Sequence, residues 1–331
     1  MSTQFLPATS SPARPGLAQL WNTLWHGNRP LTLTVVLSLA LVVVAAVGLF
    51  VDPRVITGAP AWMKPLKFAI SSAVYTGTLA WMLSFVQGRR RIVALAGYTI
   101  ALSLMGELVL IVVQVLRGAT SHFNLSTPLD GILFSTMGLM IVLVWVMNVV
   151  VSVLLLRQGQ NGLAPALAWS LRLGLLLSTL GMGVGFIMTS VPTPAQAAAL
   201  EAGQAPTTFG AHSVGVEDGG PGLPLVGWST LGGDLRVAHF IGLHGLQVLP
   251  LIAFALGRAR RLTAGQRLGL VWTAALGYLG VIALTTWQAL RGQSIIAPDA
   301  QTLLAAGALA AAVALIAGMI IFLSPRQTRS Q

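Results

Sequence analysis

Eight apolar runs divide the chain, at about 31–51, 66–87, 93–116, 131–156, 163–189, 236–257, 268–290 and 301–323. Each meets the roughly 20 residues that a helix needs to cross a bilayer core. Backbone groups in hydrocarbon must pair within their own segment, so these runs are helices. A membrane barrel would instead show short alternating segments. The pattern predicts an all-α integral membrane protein with eight transmembrane helices. Residues 1–30 read as an N-terminal tail and 31–158 as a first four-helix half. Residues 159–323 read as a second half with a long loop over 190–235, and 324–331 as a C-terminal tail. In the first tail, Trp21 and Trp25 stand four residues apart, the spacing of one face of a short interfacial helix.

Composition agrees with the pattern. Hydrophobic residues make up 55% of the 331 and charged residues 8%, where a soluble domain carries roughly 25% charged residues. Such a chain cannot cover itself with polar surface, so the lipid bilayer is its expected partner. The net charge is +11, but the cations lie singly or in short clusters between apolar runs. That is topology information rather than a phosphate-binding face, so nucleic acid is not an expected partner. There are no cysteines, which excludes disulfides, thiolate metal sites and cysteine nucleophiles. Walker, dinucleotide-glycine and GxSxG patterns are missing as well.

The cations also orient the chain. Twelve arginines gather at one set of run ends, among them Arg89, Arg90, Arg91, Arg157, Arg258, Arg260 and Arg261. The other ends hold six, namely Arg54, Lys64, Lys67, Arg117, Arg236 and Arg291. The positive-inside rule places both termini in the cytoplasm, with the arginine clusters against anionic inner-leaflet lipid. Residues 52–67, 117–130 and 189–235 then lie outside. A bacterial cytoplasmic membrane is the expected location.

The two halves echo each other. LKFA from Leu66 and GRRR at Gly88–Arg91 are answered by LRVA from Leu235 and GRAR at Gly257–Arg260. QVLRG at Gln114–Gly118 is answered by QALRG at Gln288–Gly292, and an acid follows each, Asp130 and Asp299. The consistent order predicts a duplicated four-helix unit with a pseudo-two-fold axis along the membrane normal. In architecture the chain resembles the haem a synthases, which also pair two four-helix halves. That family carries haem-ligating histidines on helices of both halves, whereas here the second, fourth and eighth runs have none. The resemblance implies the architecture and not the reaction.

An ionisable group inside a membrane costs several kcal/mol unless paired or hydrated, so each one marks a functional site. Glu107 lies ten residues inside Arg117, about 15 Å from the helix end. Ser103, Glu107 and Gln114 share a stripe. On the sixth run His244 lies about 12 Å inside Arg236, near the level of Glu107. His244 shares a face with Gln247, while His239 stands about 140° away around the helix. These residues predict a polar centre of Glu107 opposite His244 between the halves. Gly242 and Gly245 would admit a close backbone or a flat ligand. Arg117, Arg236 and His239 would gate or steer.

The loop FGAHSVGVEDGGPGLPLVGWSTLGGDL at 209–235 mixes His212, Asp218, Trp228 and Asp234 with apolar residues, so it is expected to fold back as a cap. A short helix is expected over 194–204. The passage from His212 through GWSTLGGDLRVAHFIGLHGLQVLP, with RGATSHFNLSTPLD at 117–130, resembles a group of bacterial multi-pass membrane proteins that has no assigned activity. The resemblance implies membrane location. His122, with His212, His239, Asp218 and Asp234, offers imidazole and carboxylate to an outer metal. Two histidines from different segments would instead hold haem. The expected function is an outward-facing polar site between the halves that binds or moves a small molecule, lipid or ion. A haem-binding or lipid-modifying membrane enzyme is the alternative, and a non-catalytic subunit or sensor is a further one.

Overall fold

The computed structural model describes residues 16–159 and 162–323. The C-terminal tail 324–331 and the first half of the N-terminal tail lie outside the described residues. The long helices are α2 (Arg29–Val51), α3 (Met63–Leu83), α4 (Arg90–Arg117), α5 (Pro128–Arg157), α6 (Pro165–Met188), α8 (Leu235–Arg258), α9 (Ala264–Leu290) and α10 (Ala300–Leu323). Two short helices, α1 (Leu17–Gly27) and α7 (Pro194–Glu201), precede α2 and follow α6. Two antiparallel strand pairs complete the fold, β1 (Val55–Ile56) with β2 (Ala59–Pro60) and β3 (Ser213–Val214) with β4 (Gly233–Asp234).

Seven of these helices are long and apolar enough to cross a membrane. The eighth long helix, α3, falls outside that group. It carries Lys64 and Lys67 in its first turns and Ser71, Ser72, Thr76 and Thr78 further along. Large apolar side chains cover the outer helix surfaces, as at Val43, Leu102, Leu139, Leu304 and Leu315. Water would penalise such a surface; lipid does not.

Helix starts follow local chemistry. The Asn28 side chain accepts from the Leu31 amide ahead of Pro30 and begins α2. Thr127 does the same for α5, and Thr193 and Thr263 form capping boxes on α7 and α9. The N-terminal tail is helical over α1, where Trp21 and Trp25 stack at 5.5 Å. Arg172, inside α6, is buried and caps another helix. Its guanidinium donates to the Leu155, Gln158 and Gly159 carbonyls at the end of α5.

α6 sits at the centre of the bundle, with 67% of its apolar window buried, and α10 at the rim, with none buried. α6 crosses α8 on glycines. A Cβ added at Gly242 would lie 2.3 Å from the Gly181 Cα, and one at Gly174 2.7 Å from the Gly245 carbonyl oxygen. Gly242 and Gly245 thus admit a neighbouring backbone, not a ligand. Along the chain, α2 packs on α3 and α4, and α4 on α5; α6 packs on α8 and α9, and α9 on α10.

The loops 52–62, 118–127, 189–234 and 291–299 gather at one end of the bundle, here called the cap end. Gly58 lies against Gly219, the Leu125 amide donates to the Thr207 carbonyl, and the Ser294 hydroxyl donates to the Ser229 carbonyl. The 209–235 segment is therefore folded onto the other loops, with its DGGPG stretch supplying a positive-φ glycine at Gly219.

Candidate functional site

The central feature of the site is one buried acid and the groups that reach it. Glu107 lies on the α4 stripe with Ser103 and Gln114, and all three are buried. Its nearest partner is His122, whose Nε2 stands 3.2 Å from Oε1. That contact lacks hydrogen-bond geometry, and neither carboxyl oxygen has a hydrogen-bond partner. On the far side of the ring, Lys64 Nζ and Ser121 Oγ each lie 3.1 Å from His122 Nδ1. An ammonium donating to Nδ1 leaves the ring proton on Nε2, facing the acid.

His122 reaches this depth because its loop turns inward. Gly118 closes α4 in the left-handed conformation, with φ 70°. Phe123 then takes φ 61° and buries its ring beside Phe134, 5.6 Å away, and His212, 5.0 Å away. The Phe209 amide donates to the Phe123 carbonyl, so the long loop holds the short one down. Phe68 stacks at a tilt on His122 at 5.6 Å. The cluster is thus walled by aromatic rings, and it is closed rather than open. The Glu107 side chain is 2% exposed and that of His122 19%.

Above it lies a second pair. His212 Nδ1 and Asp218 Oδ2 stand 2.7 Å apart, and Asp218 also accepts from the His212 and Ser213 amides. Burial pushes His212 below the ordinary imidazole value, against the pull of Asp218. Burial raises Asp218, but the hydrogen bonds and charge from His212 win and hold the carboxyl well below its usual range. Burial first, then the positive charges of Lys64 and His212, push His122 well below its ordinary value. The His122 ring is therefore neutral in the fold, in agreement with the donor arrangement around it.

The other expected residues lie elsewhere. His244 is exposed on α8 and does not face Glu107. Gln247, one turn on, donates to Thr78 Oγ1 of α3 at 3.0 Å, a contact between the halves. His239 Nδ1 lies 2.8 Å from the Gly181 carbonyl oxygen. Arg117 donates to Asp130 at 2.7 Å, and Asp130 also accepts from Gln114 at 3.0 Å and Thr127 at 2.6 Å. Arg236 is clamped by Asp234, the N-cap of α8, and by the Gly227 carbonyl at 2.6 Å. Lys67 donates to the Val226 carbonyl at 3.1 Å. The Trp228 carbonyl accepts from the Leu223 amide within the cap. These cations hold the cap loops and helix ends together and do not line a cavity. Among the described residues no three His, Asp or Glu side chains converge as metal ligands. The expected outer metal site is not formed, because Asp218 and Asp234 are already engaged by His212 and Arg236. Two shallow surface grooves, along α5 beside Ser135 and between α9 and α10 beside Trp287, are lined by no ionisable residue.

The repeated QxLRG motif makes the same structure twice. Gln114 Nε2 donates to the Thr120 carbonyl at 3.2 Å and Gln288 Nε2 to the Ser294 carbonyl at 2.9 Å. The glycines that end each motif have φ 70° and 71°. Arg117 pairs with Asp130, and Arg291 with Asp299. Seven residues before Gln114 stands Glu107, whereas seven before Gln288 stands Val281. The acid belongs to one motif only.

Sequence reasoning placed Glu107 and His122 in the site but separately, and it left out Lys64, which it counted only as a topology signal. The available signal was the S-H-F-N tetrapeptide: a loop this short stays at the end of its own helix pair, and Phe123 gives it an apolar side chain to turn inward. No protein-family model, curated protein or solved structure matches the chain.

Proposed function

We propose that the chain is a duplicated bundle of eight membrane crossings that handles protons at its outer face, as part of binding or moving a small molecule or ion. The carrying observation is Glu107: a carboxyl buried in an apolar bundle without a hydrogen-bond partner, 3.2 Å from an imidazole that itself accepts from Lys64. Leaving an unpaired charge there would cost several kcal/mol, and a merely structural residue would find partners. Lys64, His122 and Glu107 form a line along which a proton passes through the two ring nitrogens.

The α3 helix is taken as the eighth crossing because it lies among the other helices. Duplication is supported by the matched QxLRG ends and by the matched packing of α2–α5 and α6–α10. On this reading the second copy, with Val281 in place of the acid, keeps the scaffold and lacks the chemistry. On the same reading the arginine count favours a cap on the outer side and both termini in the cytoplasm, and a bacterial inner membrane is the proposed location.

The test uses the purified protein in liposomes loaded with a pH-sensitive dye. After an external acid jump the wild type admits protons faster than empty liposomes. Glu107→Gln and His122→Phe lower that flux by about 100-fold, the scale of losing a positioned acid–base group. Wild-type flux in both variants removes the reading.

A further inference from the structure

A second orphaned polar group lies near the middle of the bundle, well below the cap. Asn148 on α5 is fully buried. Its amide nitrogen donates to the Tyr75 hydroxyl of α3 and, at 3.0 Å, to the Val144 carbonyl, and it lies 3.8 Å from Met182 Sδ of α6. Its Oδ1 has no hydrogen-bond partner, and neither do the buried hydroxyls of Ser152 on α5 and Ser178 on α6. Helical hydroxyls ordinarily donate to the carbonyl four residues back. Thr76, Thr136 and Thr179 do so here, at 2.6, 2.8 and 2.8 Å.

Ser152 stands one turn from Asn148, and Ser178 one turn from Met182. α5 and α6 run antiparallel across the short 158–164 connection, so both serines lie on the same side of Asn148. Three unsatisfied oxygens on two packed helices therefore lie within about one helical turn of each other along the bundle, beside a tyrosine hydroxyl. Each would cost about 1–3 kcal/mol if left dry. Among the described residues no charged side chain bonds to them, so neither a metal ion nor an anion fits. Water fits, since it both donates and accepts and needs two to four polar partners.

We propose that Tyr75, Asn148, Ser152 and Ser178 form a buried water-binding site that carries protons between the cap-end cluster and the opposite end of the bundle. Tyr75 lies eleven residues along α3 from Lys64, about 16 Å. Arg157, at the far end of α5, lies nine residues from Asn148, about 13 Å. The site thus divides the crossing into two shorter steps. Lys64, Phe68, Ser71 and Tyr75 share one face of α3, which links it to the cap. The relay role rests on the proton-handling reading of Glu107; the water site does not.

X-ray hydroxyl-radical footprinting tests the water site on the intact wild-type protein, because radicals form from water beside the side chain they oxidise. Met182 is expected to oxidise several-fold faster than Met188, which is as deeply buried but lies in an apolar cluster, and Tyr75 several-fold faster than Tyr278, which is also partly buried. Rates for Met182 and Tyr75 equal to those of Met188 and Tyr278 overturn the water site. In the liposome assay the double variant Ser152→Ala/Ser178→Ala is expected to lose proton flux by about tenfold. Full flux in that variant, with loss in Glu107→Gln, overturns the relay and leaves the cap-end reading intact. Unchanged flux in Glu107→Gln overturns the cap-end reading and the relay with it, while the footprint still decides the water site.

Discussion

At the residue scale, the cap-end cluster is a balance of burial against charge. His122 faces Lys64 and Ser121 on one side and Glu107 on the other, with His212 and Asp218 above. Its folded proton affinity lies below the ordinary value of 6.5, for reasons of burial and neighbouring positive charge. The unfolded chain therefore binds the proton more readily than the fold does. The stability linked to this ring is fully present above pH 6.5 and is lost as the pH falls below it toward the depressed folded value. His212 adds to the same trend. Thermal unfolding in detergent should show a midpoint that is level near neutrality and falls on acidification to about pH 5. The fall should be shallower in His122→Phe. A wild-type midpoint that stays flat or rises on acidification would contradict the burial of a neutral ring.

At the element scale, the helices were legible and their rotations were not. The apolar runs from Leu31 onward match the long helices within a few residues, because a 20-residue apolar stretch has few other solutions. The short helix expected over 194–204 forms over Pro194–Glu201, begun by a Thr193–Gln196 capping box, and the folded 209–235 cap was legible from the mix of Trp228 and His212 with turn glycines. Depth along a helix is simple arithmetic, which is why Glu107 and His244 were placed at one level. Facing is set by which residues pack. α8 spends Gly242, Gly245, Leu246 and Leu249 on its neighbours, and His244 is left exposed. The glycine crossing makes the sharpest demand of any element. Gly242→Ala would put a methyl carbon 2.3 Å from the Gly181 Cα, with backbone on the other side and no flexible tip to yield. Overpacking of this kind costs about 1–3 kcal/mol, and the closeness here places the change at the upper end. A lowered unfolding midpoint is expected, and an unchanged one would mean that α6 and α8 do not cross there. Gly257→Ala, with open space around it, is the control.

At the scale of the whole molecule, the bundle of long apolar helices carries an acid–imidazole cluster at its cap end. The likeness of two helix ends was readable in Gln114–Gly118 and Gln288–Gly292, since each ends a helix with the same side-chain bond and the same left-handed glycine. The position of the cluster was not readable. It depends on a loop that turns inward at Phe123 and on a contact with residues more than eighty positions away, which no periodicity encodes. Proton handling at the cap end requires Glu107 to be a titrating acid rather than a silent one. Infrared difference spectroscopy across an acid–base jump, with wild type against Glu107→Gln, addresses that directly. The prediction is a carboxyl C=O band that is present in wild type, absent in Glu107→Gln and displaced in Lys64→Met. Wild-type and Glu107→Gln spectra that superimpose throughout the carboxyl region would contradict it.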